Sequence, residues 1–259
     1  MRKILFLAAV TALSLRAEEW TKSYTVGSSP ELEVSTDDGN IVVKPGASGR
    51  IQVRVLTTGL SIPGDVDVIE HQAGDRVTLQ VKMARHWRWG GWNNRSLRVE
   101  LEAPRTLRGR FTTGDGNVSV SGIEGDLRFH TGDGNIEARD LAGSMEARTG
   151  DGNVHADGRF ESLQVSTGDG NVEIRAAPGS RVSSGWRIST GDGNVRLDIP
   201  GTIAADLDAH TGDGRIHMDL PLNLAPGEQK RNHVRGQING GGLPVNIRTG
   251  DGSIHLGRV

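Results

Sequence analysis

Eight aspartates in this chain stand in one recurring context. The tetrapeptide TGDG begins at Thr113, Thr131, Thr149, Thr167, Thr190, Thr211 and Thr249, and a variant, TDDGN, begins at Thr36. The aspartates are Asp38, Asp115, Asp133, Asp151, Asp169, Asp192, Asp213 and Asp251. Carboxylates at a fixed step are suited to calcium, a hard cation that takes oxygen ligands. Calcium-binding β-rolls, however, repeat a GGxGxD nonapeptide, so that ligands come from both turns of each coil. Here the text between copies has no second acidic motif, and TGDGN lacks the alternating Asp/Asn ligands of a calcium loop. The residues read better as turn punctuation: Asp115–Gly116, Asp133–Gly134, Asp151–Gly152, Asp169–Gly170, Asp192–Gly193, Asp213–Gly214 and Asp251–Gly252. Asp-Gly permits the positive φ of a sharp turn, and each Asp is expected to accept bonds from its own turn amides. No metal is assigned.

Two further sets could do chemistry. His130, His155, His210, His217 and His255 occupy outward positions near acids, the residue types of a polysaccharide-cleaving β-helix. They fall on a repeating polar face where any polar residue serves, so no catalytic residue is assigned and the chain is read as a non-enzyme. The segment HWRWGGWNNR holds three of the five tryptophans. Trp87, Arg88, Trp89 and Trp92 form the candidate partner-binding set, because Trp and Arg dominate interface hot spots; packing of the Trp rings over one end of the fold is the competing use. A phosphate-binding loop is excluded, since GDGN is followed neither by a helix nor by Gly-Lys-Ser/Thr.

The elements that position these residues follow from the flanks. Two and four residues before each Thr the chain is apolar, as at Leu127/Phe129, Leu163/Val165 and Val245/Ile247. Five and seven residues after it the chain is apolar again, as at Val118/Val120, Val154/Ala156 and Ile254/Leu256. Residues between are mostly polar, so period-two alternation runs on both sides of the turn. Each copy is therefore strand, tight turn, strand. The steps between full copies are 18, 18, 18, 23, 21 and 38 residues, and a looser second turn closes each coil. Stacked in register, such units make a parallel β-solenoid (β-helix) of about 18 residues per coil, right-handed by the usual crossover preference. The Asn after each turn is expected to stack on its neighbour as an amide ladder. Loops at 177–184 and 200–205 absorb two longer steps, and a coil or hairpin around 220–242 fills the last. Residues 50–106 carry no copy and read as strands at 51–56, 66–71, 76–83 and 96–103, an N-terminal sheet capping one end of the stack.

Composition sets the remaining bounds. The 259 residues include 37 Gly and no Cys, with net charge −2, so disulfides are excluded, and no basic block points to nucleic acid. The basic pair Arg2–Lys3, the apolar run Ile4–Leu15 and Ala17 form a secretory signal peptide over 1–17. Its removal takes three cations and shifts the net charge to −5. Residues 18–106 then hold the first coil and cap, and 107–259 the TGDGN repeats. No later segment is apolar enough to span a bilayer as a helix. The expected location is periplasmic or extracellular.

The signal peptide, ELEVSTDDGNIVV, LRVELEAP and the repeated TGDGNV coils together resemble the bacterial "putative adhesin" domain family of unknown function, a relative of the autotransporter-adhesin head (GIN) domain. The resemblance covers about residues 25–257 and implies the same β architecture. It implies an adhesin-like binding or structural module of the cell envelope, without cofactor, whose partner is an envelope protein or glycan. It supplies no catalytic or binding residue. The alternatives from other classes are a polysaccharide-active β-helix enzyme and a calcium-binding β-roll. If the Asp column is structural, neither EDTA nor millimolar calcium shifts the melting temperature; a calcium-induced rise of many degrees, read by differential scanning fluorimetry, would favour the β-roll instead.

Overall fold

In the computed structural model, described over residues 17–84, 95–220 and 230–259, every element is a β-strand. The chain opens with β1 (Ala17–Thr25), β2 (Glu31–Thr36), β3 (Asn40–Pro45), β4 (Arg50–Thr58) and β5 (Val66–Ala73). There follow β6 (Arg76–Met83), β7 (Ser96–Ala103), β8 (Arg108–Thr113), β9 (Val118–Ser121) and β10 (Glu124–His130). Next come β11 (Ile136–Arg148), β12 (Val154–Ser166), β13 (Val172–Ala176), β14 (Trp186–Ser189) and β15 (Val195–Ile199). The last five are β16 (Ala205–Thr211), β17 (Ile216–Met218), β18 (His233–Ile238), β19 (Pro244–Thr249) and β20 (Ile254–Arg258). The four strands expected in the repeat-free N-terminal region are β4 to β7, longer at some ends than alternation suggested.

Strands entering a TGDG turn pair with one another, and strands leaving one do the same. The entering ladder runs β5, β6, β2, β8, β10, β11, β12, β14, β19, β16, β18. The leaving ladder runs β1, β4, β7, β3, β9, β11, β12, β13, β15, β20, β17. The long strands β11 and β12 take part in both, with register shifts where they turn the corner. All twenty strands therefore form one nearly closed, barrel-like network. Pairing is parallel throughout the interior. It is antiparallel only toward the rims, at β5–β6, β16–β18, β4–β7 and β1–β4.

One core lies between the ladders. Ile41, Val118, Ile136, Val154, Val172, Val195 and Ile254 are register partners on successive leaving strands, and each is at most 1% exposed. Facing them are Leu32, Phe111, Leu127, Leu163, Trp186 and Ile247 of the entering strands, with Phe111 and Phe129 stacked at 5.9 Å.

The turns hold the rungs together differently from the sequence-based expectation. The TGDG glycines are not among the residues with positive φ; those include Gly122, Gly125, Gly143 and Gly158 at the opposite corner. The TGDG turn needs glycine because it presses on the turn below. A Cβ on Gly152 would lie 1.9 Å from the Gly134 carbonyl oxygen, and one on Gly170 would lie 1.9 Å from that of Gly152. The amide expected to bond Asp goes to Thr instead: Gly134 N–H donates to Thr131 Oγ1 at 3.2 Å, and that hydroxyl donates to the Gly116 carbonyl at 2.9 Å. These Thr side chains are buried with both roles satisfied. The amide ladder is present. Asn117, Asn135, Asn153, Asn171 and Asn194 each donate backbone N–H and side-chain amide to the preceding Asn, at 2.8–2.9 and 3.2 Å.

Chain order and stacking order also differ. The last turn, at Thr249, sits between those at Thr190 and Thr211: Gly250 N–H donates to the Gly191 carbonyl, and Gly212 N–H to that of Gly250. Packing explains the exchange. Val245, Ile247, Ile254 and Leu256 of the last strand–turn–strand unit are buried, whereas Ile216 and Met218 of β17 are only partly covered at the rim. The more apolar pair of strands takes the interior place.

Val154→Asp would put an unpaired charge into the inner column and should cost several kcal/mol. Gly152→Ala should cost about 2–3 kcal/mol by overpacking. Gly74→Asn, at an open position with φ +59°, should be near neutral, because Asn tolerates that conformation. Urea denaturation of the three variants checks the order; equal costs for Gly152→Ala and Gly74→Asn would refute the close-approach explanation.

Candidate binding face

Alternation that sends the apolar residues of the entering ladder inward sends the residues one and three places before each Thr outward. In stacking order from β8 to β18, the row nearest the turns reads Thr112, His130, Arg148, Ser166, Ser189, Arg248, His210, His233. The next row reads Arg110, Arg128, Glu146, Gln164, Arg187, Asn246, Asp208, Arg235. Six arginines and three histidines thus share two rows with two acids.

Each acid is the centre of a cluster. Glu146 meets Arg148 at 2.8 Å and Arg128 at 3.5 Å, with Arg110 and His130 completing a hollow of about 300 Å³. Asp208 meets Arg235 at 2.7 Å, His233 at 3.2 Å and Arg248 at 3.9 Å. Partial burial would raise the Asp208 carboxyl, but the bonds from Arg235 and His233 outweigh it and hold the group below the usual carboxylate range. The stabilisation this gives is present above the ordinary Asp value of about 3.9 and is lost as pH falls through the lower folded value. His233 also packs edge-on against His210, ring centroids 5.4 Å apart.

The charges between rungs do not balance. Among the described residues, Arg110 and Arg187 have no carboxylate within ion-pairing distance. The acids of β2 that neighbour Arg108 and Arg110 in register, Glu31 and Glu33, reach the other way to Arg76, at 3.5 and 3.3 Å. Like charges on adjacent rungs repel by about 1 kcal/mol in water, so the arrangement is not one that stability alone favours.

The face of the leaving ladder is different. A hollow of about 610 Å³ there is lined by Lys44, Gln52, Arg54, Glu100 and Glu102 among others. Arg54 there lies between Glu19 at 3.0 Å and Glu100 at 3.5 Å, so its charges cancel locally. At the far end Arg196 donates to Asp198 at 2.9 Å, while Asp198 Oδ1 is buried without a hydrogen-bond partner among the described residues. That oxygen lies over Gly257, where a Cβ would be 2.1 Å away.

The residues singled out by sequence are placed as follows. Asp115, Asp133, Asp151, Asp169, Asp192, Asp213 and Asp251 are exposed along the turn edge. Among the described residues no group of three or more His, Cys, Asp or Glu is disposed to hold a metal ion. His155 lies 3.4 Å from Glu173, and His255 lies 3.4 Å from Asp219, both on the leaving face. His130 and His210 join the cationic rows instead. Trp87, Arg88, Trp89 and Trp92 lie outside the described residues, as do residues 1–16 of the expected signal peptide 1–17. Sequence reasoning missed the two rows. The signal was there, as arginines recurring one and three places before Thr, but which copies are neighbours is decided by stacking.

No curated protein matches this sequence. Solved structures do. A "putative cell adhesion protein" from Clostridium sporogenes is 13% identical, with 94% of this chain and 100% of that one covered and a TM-score of 0.47. A "putative adhesin" from Bacteroides fragilis is 12% identical, with 92% and 97% covered and a TM-score of 0.48. A "putative lipid binding protein" from Parabacteroides distasonis is 12% identical, with 92% and 96% covered and a TM-score of 0.41. The profile of one family matches residues 22–257, nearly the whole chain. By that match the chain belongs to the Toastrack DUF4097 family.

Proposed function

We propose that this protein is an exported, non-enzymatic binding or structural module of the bacterial cell envelope, built as a parallel β-solenoid and related to the GIN adhesin head. The observation that carries the reading is the pair of outward rows. Their side chains stand on a ladder fixed by rung-to-rung backbone bonds, so the surface is organised before any partner arrives, which lowers the cost of binding. The residues that would have to do catalysis agree with the reading: the two His–acid pairs of the leaving face, His155–Glu173 and His255–Asp219, are separate, each a half-buried histidine beside an exposed acid. The repeat turns serve as structure, and Trp87, Arg88, Trp89 and Trp92 remain the proposed contact with a protein partner.

N-terminal sequencing of the protein recovered from the periplasm or medium should begin at Glu18; recovery of the intact Met1 form from the cytoplasm alone would refute export. The purified mature protein should bind envelope preparations saturably without releasing sugar. Trp87→Ala, Trp89→Ala and Trp92→Ala combined should keep the melting temperature and lose binding to the protein fraction. Reducing ends liberated from a glycan by the wild type would overturn the non-enzyme reading.

A further inference from the structure

The cationic rows of the entering ladder have a length, a width and a pattern, and these narrow what would occupy them. Six arginines against two acids give an excess of positive charge on a chain whose net charge is −2. The two clusters, centred on Glu146 of β11 and Asp208 of β16, are four rungs apart, about 19 Å at the usual strand spacing. Between them Arg187 stands among Gln164, Ser166, Ser189 and Asn246, four neutral hydrogen-bonding side chains. A small anion would fill one cluster and leave the other and the polar bridge unused. A chain with acidic groups at intervals and hydroxyls between them would use all three.

Width excludes broader polyanions. On one side the rows are bounded by the exposed aspartates of the turn edge, such as Asp151, Asp169 and Asp192. On the other stand Asp126 of β10 and Asp206 of β16, also exposed, in a row shared with Arg108, Ser144 and Ser162. Only the two rows between, about 7 Å apart along the strand, are free of this border. A nucleic-acid duplex or a bilayer surface would bring its phosphates against the recurring aspartates of the turn edge. A single nucleic-acid strand is bound on aromatic stacking platforms, and neither row contains an aromatic ring other than histidine. A single polysaccharide chain is slim enough and needs no such platform.

We propose that this strip binds one acidic polysaccharide chain, laid across the rungs from the Glu146 cluster to the Asp208 cluster. Arg110 and Arg187, whose guanidinium groups lack a carboxylate partner among the described residues, take the carboxylate or sulfate groups of the ligand, and arginine's planar fork suits such anions. Gln164, Ser166, Ser189 and Asn246 bond the hydroxyls between. The inference rests on the binding-module reading and gives that module its ligand class.

The test uses the mature protein and the variant Arg110→Gln/Arg187→Gln, both exposed positions whose loss should leave the melting temperature unchanged. Polygalacturonate should bind the wild type with an affinity that falls steeply as salt rises, as expected when anionic charges are neutralised. The double variant should bind at least tenfold more weakly. Digalacturonate, too short to bridge the clusters, should bind at least a hundredfold more weakly than the polymer, and neutral dextran should not bind. Unchanged affinity in the variant, or a DNA duplex or phosphatidylglycerol vesicles bound as tightly as polygalacturonate, would overturn the assignment. Binding to the glycan fraction of envelope preparations separates the two readings: full binding by the double variant sinks the strip alone, whereas no adherence of the wild type to any envelope fraction sinks the binding module itself.

Discussion

Everything in this fold depends on how closely one TGDG turn can sit on the next. Backbone carbonyl oxygens of one turn lie where a Cβ on the turn above would be, 1.9–2.2 Å from the position such an atom would take at the second glycine of seven copies. Glycine is thus needed for proximity and not for a left-handed backbone, which this turn does not use. With the turns in that contact, the Thr hydroxyl falls between two of them, donating to one and accepting from the other. The Asn ladder outside repeats the arrangement in a second set of hydrogen bonds. Each rung is positioned three times over, by glycine contact, by hydroxyl and by amide, so strand register cannot slip without breaking all three.

Register fixed at the turn propagates along both strands. The apolar residues of every rung meet in the core, where the large side chains Trp186, Phe111 and Phe160 are essentially fully buried. The polar residues line up as outward rows, and rows of like charge result wherever successive copies carry the same residue type. Such a surface is as stiff as the ladder beneath it. The core and the outward rows are thereby coupled: the constraint that keeps Val154 over Ile136 also keeps Arg148 beside His130.

The ends of a parallel stack expose unpaired strand edges. Here the entering ladder is finished by antiparallel strands, β5 at one rim and β18 at the other, and the leaving ladder by β4 and β1. At the opposite rim of the leaving ladder β17 is only three residues long, a short edge that offers little to a passing strand. The weakest copy of the repeat, with Ile216 and Met218 half covered, stands there, and the stronger copy at Thr249 is drawn inside.

Sequence alone was enough for the strand–turn–strand unit, its inward and outward residues, the parallel stacking, the Asn ladder and the N-terminal strands, because each follows from local alternation and a fixed step of 18 residues. It assigned the turn glycines to the right positions for the wrong reason, since the contact that requires them joins residues in different copies. It placed the carboxylates of the turn edge correctly at the surface but gave their hydrogen-bonding role to the wrong side chain. Tertiary structure alone decided that the turn at Thr249 stacks beneath that at Thr211, and therefore that Arg187 and Arg248 stand on neighbouring rungs. Which copy lies beside which is a matter of relative burial summed over whole strand–turn–strand units. No single copy carries that information, so the cationic strip, whose residues come from eight strands, could be seen only once the rungs were in order.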